Sequence, residues 1–144
     1  VVLDYDLNHN ESALKELEPH AGRIELLVNE VCTPGCQRRA EHYAQQSRAQ
    51  LEFDVKDVFQ CPNANPNKTF AECTKRPAFI SNDEIGSEIE SGFVNFKIAG
   101  RGMPYQYVLD AYLYFLVREE KQKFMREKIG QFVADAAKKT EGRK

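Results

Sequence analysis

Four thiols carry most of the chemistry this sequence offers. Cys32, Cys36, Cys61 and Cys73 form a C-x3-C-x24-C-x11-C pattern, and the first pair closely follows the apolar run Ile24-Glu25-Leu26-Leu27-Val28. Four thiols on loops at strand ends are a complete ligand set for one metal centre. Structural zinc favours two short knuckles, with about two to four residues between the cysteines of each. Cys32 and Cys36 fit that spacing; Cys61 and Cys73 stand too far apart for a second knuckle. An iron–sulfur cluster tolerates irregular spacing, because a wide four-iron cube collects thiolates from separate loops. Disulfides belong to oxidising compartments and small loop-rich secreted chains, whereas this chain is rich in helix signals and carries no secretory signal peptide. Four unrelated core thiols are a further reading. It suits Cys32, Cys36 and Cys61 poorly, since each lies within two residues of a proline in a polar loop. Radical adenosylmethionine chemistry is set aside, because no third cysteine follows the C-x3-C pair two residues later.

Other side chains could serve such a centre. Lys97 and Arg101, at a strand end and the turn after it, can hold an anionic substrate or cofactor, Arg through a bidentate fork. A salt bridge with Glu30 or another acid is the plainer alternative. Asn29 and Glu30 can orient a substrate or donate to cluster sulfurs. His42 can contact the cluster region or move a proton near neutral pH, or can be a solvated helix residue. Arg38 and Arg39 can offset cluster charge or touch nucleic acid, and with Arg48 can form a local basic patch; a solvated helix start accounts for them equally simply. The aromatic stripe Tyr105, Tyr107, Tyr112, Tyr114 and Phe115 has helical spacing and reads as packing.

These residues need a frame. Strand-like segments are expected at Val1–Leu7, Arg23–Asn29, Ala78–Ile80 and Phe93–Ile98, and helices at Glu11–Glu18, Gln37–Gln50, Ser81–Ser91, Pro104–Val117 and Glu119–Lys139. The second strand is apolar enough to be a parallel strand buried on both faces. Cys61 to Asn67 reads as a Pro- and Asn-rich loop. Strand–helix alternation predicts an α/β fold of parallel βα units, and four units make about half of a TIM-type barrel. One βα domain is expected over residues 1–140, with 141–144 a disordered tail. The start on Val1, directly in a strand-like segment, reads as a cut through a fold. A half-barrel leaves open sheet edges, so the chain is expected either to complete itself with a missing half-barrel or to form a homo-oligomer. Barrel active sites gather at the C-terminal strand ends, where the cysteine loops, Asn29, Glu30, Lys97 and Arg101 all fall.

Composition sets outer bounds. Of 144 residues, 20 are basic and 22 acidic, and the formal charge of −2 gives no global drive toward nucleic acid or anionic membrane. No apolar run approaches the roughly 20 residues of a membrane helix, so a cytoplasmic, non-membrane protein is expected.

Two segments, IELLVNEVCTPGCQRRAEHY beginning at Ile24 and GFVNFKIAGR beginning at Gly92, resemble the collagenase-like peptidase family of unassigned catalytic type (peptidase U32-like). Its members include iron–sulfur proteins that hydroxylate ubiquinone precursors or RNA bases without molecular oxygen. The resemblance runs from residue 1 to about 120 and corresponds to the C-terminal half of the family's barrel. It implies a barrel with a 4Fe-4S cluster held by Cys32, Cys36, Cys61 and Cys73; their positions and chemistry make Lys97, Arg101 and Glu30 the candidate catalytic groups and place Asn29 and His42 as candidates beside the cofactor. A small-molecule or RNA substrate is implied. Where the family has an acid in its KIEGR motif, this chain has Ala99. A structural zinc or interaction module without catalysis is the alternative, and a peptidase a second one, although no H-E-x-x-H helix motif is present.

Overall fold

The computed structural model describes residues 1–52, 59–61 and 69–141. Two compact units make up the chain, Val1–Ala99 and Gly100–Lys144.

The first unit is built on a short parallel ladder. Strand β1 (Glu25–Leu27) pairs in parallel with β2 (Asn95–Lys97), Leu26 lying opposite Phe96. The N-terminal segment runs parallel along the other edge of β1: Glu25 N donates to Val1 O at 2.8 Å and Leu3 N to Glu25 O at 2.9 Å. Val28 extends the ladder, donating to Lys97 O at 3.1 Å and accepting from Ile80 N at 2.9 Å. Ile24, Leu26 and Val28 are buried while Glu25 and Leu27 are half-exposed. The alternation is that of a strand with one buried face. The second strand is therefore not buried on both faces as expected, and its open face carries the Lys97–Glu25 ion pair at 3.8 Å.

Local chemistry fixes the helices. Asn10 caps α1 (Glu11–Leu17), its side chain accepting from Ala13 N. Ser81 and Glu84 form a reciprocal capping box at the start of α4 (Asn82–Glu90). That helix ends in a Schellman turn: Gly92, at φ 94°, donates to Ile89 O, and Phe93 N donates to Glu88 O. The turn drops the fully buried Phe93 into the core ahead of β2. Helix α2 (Arg39–Leu51) follows the cysteine loop, and the short α3 (Phe70–Cys73) is capped by Thr69.

The α/β class agrees with this architecture, but its extent is smaller than expected. Among the described residues the sheet has two strands and one isolated bridge at Val2, and no barrel is formed. Tyr5–Leu7 is a 3-10 turn rather than strand, because Asp4 caps it by accepting from Asp6 N. Ala78–Ile80 joins the ladder through one hydrogen bond without becoming a strand. The expected loop at residues 62–67 lies outside the described residues, as does the tail beyond Glu141.

The second unit holds α5 (Tyr105–Leu116) and α6 (Glu119–Glu141). Arg126 pairs with Asp110 between them. Tyr107 is buried and Tyr105 and Tyr112 are exposed, so the aromatic stripe is divided between packing and solvent.

Candidate functional site

The cysteine loop leaves the C-terminal end of β1, and three devices shape it. Glu30 turns its carboxylate back on its own loop, Oε1 accepting from Val31 N at 2.7 Å and Cys32 N at 2.8 Å. Pro34-Gly35 reverses the chain between Cys32 and Cys36, Gly35 taking φ 67°, a conformation that glycine adopts without strain. Gly35 N then donates to Asp6 Oδ1 at 3.2 Å, tying the loop to the 3-10 turn.

Arg39 makes the same tie from the first turn of α2. Its guanidinium pairs with both oxygens of Asp4, at 3.0 and 2.6 Å, and with Asp6 at 3.1 Å, while lying 4.2 Å above the Tyr5 ring. Beneath it the Tyr5 hydroxyl is buried without a partner at hydrogen-bonding geometry. A buried orphan of this kind needs an explanation, and the neighbouring group is the Cys32 thiol. Burial raises the phenol above its ordinary range, and the Cys32 sulfur adds to the rise. Burial likewise pushes the Cys32 thiol up, followed by the Glu30 carboxylate; the Tyr5 hydroxyl, donating toward the sulfur, opposes them, and Cys61 and Cys36 raise it further.

Cys32 is thus within electrostatic reach of both Cys36 and Cys61, and all three are half-buried. Cys73 is fully buried at the end of α3 and donates through Sγ to Asn29 O at 3.3 Å, three residues before Cys32. Among the described residues no three His, Cys, Asp or Glu side chains stand as a ready metal-ligand group. In kind, the donor set suits a metal that favours sulfur. The orphaned Tyr5 hydroxyl suits it as well, because a metal-bound thiolate at Cys32 would supply the acceptor that Tyr5 lacks.

The remaining candidates have definite positions. The side-chain amide of Asn29 pairs with the main chain of Ala99. His42 stacks on Phe59 with ring centroids 4.6 Å apart and planes 11° from parallel, and its Nε2 meets Gln46 at 3.1 Å. Lys97 reaches back to Glu25 rather than to Glu30. Arg101 is exposed at the start of the second unit and makes no ion pair among the described residues. The cysteines, Asn29 and Glu30 therefore share one end of the ladder, while the Lys97 cation is directed along it toward the opposite end. An open groove of about 550 Å³ beside Cys36 is lined by Asp6, Gln37, Arg39 and Tyr43 among others. Tyr5 and Phe59 were not legible as site residues: Tyr5 stands 27 residues before Cys32, and Phe59, although two residues before Cys61, lies in no motif.

No family model, curated protein or solved structure matches the chain. The likeness to the collagenase-like peptidases rests on the two quoted segments.

Proposed function

We propose that this chain is an iron–sulfur protein akin to the collagenase-like peptidase family, performing or assisting an oxygen-independent hydroxylation or a related redox modification. The observation that carries the reading is the placement of two cysteines in the loop that leaves β1, with Cys73 anchored on the carbonyl of Asn29 three residues before Cys32. The ladder itself would be a section of a βα barrel, completed by further strands or by a second copy.

In this reading Cys32, Cys36, Cys61 and Cys73 hold the cluster, Cys73 exchanging its bond to Asn29 O for the metal. A bound cluster supplies one-electron transfer at a potential set by its surroundings. The chain contributes the surroundings. Tyr5 donates to the Cys32 sulfur, Glu30 fixes the loop amides of Val31 and Cys32, and the Arg38 guanidinium, within electrostatic reach of Cys36 and Cys61, offsets thiolate charge. The groove beside Cys36 gives a small-molecule or RNA substrate its approach. Lys97 or Arg101 would hold an anionic group of that substrate or of a co-substrate.

Iron and acid-labile sulfide measured after anaerobic purification, with visible and paramagnetic-resonance spectra of the same sample, test the reading. About four of each per chain are expected for a cube. One zinc with no sulfide would favour a structural module instead, and absence of all metal after reconstitution would overturn both.

A further inference from the structure

The buried side of the ladder ends unfinished at β2. On β1, Ile24, Leu26 and Val28 turn into the core and are 7%, 0% and 1% exposed. Residues in register share a face of the sheet, and so do residues two apart along a strand. Phe96, opposite Leu26, therefore lies on the core side, with Val94 and Ile98 two residues to either side of it. Yet Val94 is 59% exposed, and Phe96 and Ile98 are half-exposed. The main chain is open there too. Among the described residues β2 is an edge strand, paired with β1 alone. Lys97 O accepts from Val28 N of β1, and the main-chain groups of successive strand residues point to opposite sides. The N–H and C=O of Phe96 therefore face away from β1. An uncovered apolar side beside such groups is a template for a further strand.

We propose that the further strand is β2 of a second copy of this chain, paired antiparallel about a two-fold axis through Phe96. The strand is self-complementary in that arrangement. Phe96 meets its own counterpart, each N–H donating to the other's carbonyl, which is the reciprocal pair of an antiparallel ladder. Val94 then faces Ile98 of the second copy, twice over, and the apolar side of both strands is covered. On the other side Lys97, the one charged residue of β2, faces Asn95 of the second copy rather than another lysine. Asn95 suits that place: its Nδ2 is engaged with Gly22 O at 3.0 Å, which leaves Oδ1 to accept from the ammonium. A two-fold contact is closed and ends at a dimer, whereas parallel addition of the Val1–Leu3 edge of another copy would build a ring or a filament. The inference rests on the reading of the ladder as part of a larger sheet and needs no metal.

Sedimentation equilibrium of the full chain, purified without iron, tests the interface. The native chain is expected to dimerise, and Val94→Lys should weaken the dimer by about tenfold or more, because it sets a charge into the apolar pair at both ends of the interface. Val94 is exposed in the single chain, so circular dichroism and urea denaturation should find this variant folded. Phe96→Cys reports the register. Across a hydrogen-bonded antiparallel pair the Cα atoms are about 5.5 Å apart, within disulfide reach, and a bridge between two residues 96 necessarily joins two chains. Peptide mapping after oxidation with copper phenanthroline in air should find it. If Phe96→Cys does not fold, the single variants Val94→Cys and Ile98→Cys, mixed, should bridge to each other instead. A native chain that stays monomeric overturns the proposal and leaves the edge to a strand of other origin. It is overturned too by a folded Val94→Lys that dimerises as tightly as the native chain, by open-ended assemblies, or by a dimer in which neither bridge forms. A dimer that takes up no iron or sulfide would leave the interface standing and remove the iron–sulfur reading; iron uptake by a chain that stays monomeric would do the reverse.

Discussion

The Asn29 side chain pairs with the main chain of Ala99 as one strand pairs with another: Nδ2 donates to Ala99 O at 2.8 Å, and Ala99 N donates to Oδ1 at 2.7 Å. Asn29 is 1% exposed, and its own carbonyl accepts from Cys73 Sγ. One residue therefore continues the β1–β2 ladder past its last main-chain bond and anchors the buried cysteine. Asn29→Ala would leave the amide and carbonyl of Ala99 unpaired, at a cost of about 2–4 kcal/mol. Urea denaturation of the native and variant chains measures it. A loss below about 0.5 kcal/mol, the range of an ordinary surface change, would show that the pairing is dispensable.

Tyr5→Phe separates a structural hydroxyl from one that awaits an acceptor. In the metal-free chain the hydroxyl only leans toward the Cys32 sulfur, outside hydrogen-bonding geometry, so its removal should change stability by less than about 1 kcal/mol. In the iron-loaded chain the same change removes a donor to the Cys32 sulfur and should lower the stabilisation that metal confers, while shifting the cluster potential downward. Thermal melts with and without iron and sulfide give both quantities. Equal metal-induced shifts in the two proteins would refute a role for Tyr5 at the centre.

The Asp4–Arg39 pair gives the fold a dependence on acid. The Arg39 guanidinium, donating to Asp4, is the main reason that this carboxyl titrates below its ordinary value, with the bond from Asp6 N second. A carboxyl depressed in the folded chain contributes stability that is fully present above its unfolded pKa and is lost as pH falls through the folded value. Arg39→Gln should thus cost about 1 kcal/mol near neutrality, discounted because Asp4 is half-exposed. The gap from the native chain should narrow below about pH 4. A gap that stays constant from pH 7 to pH 3 would assign the loss to packing over Tyr5 alone.

Alanine at each cysteine should divide the four thiols by burial. Cys32→Ala, Cys36→Ala and Cys61→Ala should abolish cluster assembly with metal-free stability changed by less than about 1 kcal/mol, since all three are half-buried. Cys73→Ala should abolish assembly and also cost about 1–3 kcal/mol, through the bond lost at Asn29 O and the small cavity left. Full iron content in any of the four variants removes that residue from the ligand set.

Much of the secondary structure was legible because its signals are local. Ser81 with Glu84, Asn10 before Glu11 and Gly92 after Ser91 mark helix boundaries through hydrogen bonds that span only a few residues, and those boundaries stand within a residue or two of expectation. The first strand was misread for a related reason: Val1–Leu7 has strand composition, but Asp4 satisfies Asp6 N from its own side chain and curls the segment into a turn. The apolar run at Ile24–Val28 marked a strand without revealing that only alternate residues would be covered.

What the sequence determined by itself is the parallel α/β character of the first unit and the presence of four thiols with two of them in one short loop, since these follow from composition, period and spacing along the chain. Tertiary structure alone decided how those thiols are held. Phe59 stacks on His42 of α2, Cys73 bonds to the carbonyl of Asn29, and the cysteine loop is tied to Asp4, Asp6 and Arg39. Each is a contact between residues 17 to 44 positions apart, as Phe59 to His42 and Asn29 to Cys73 illustrate. Such contacts form only when folding has already met the entropy of bringing distant segments together, and no local pattern records that.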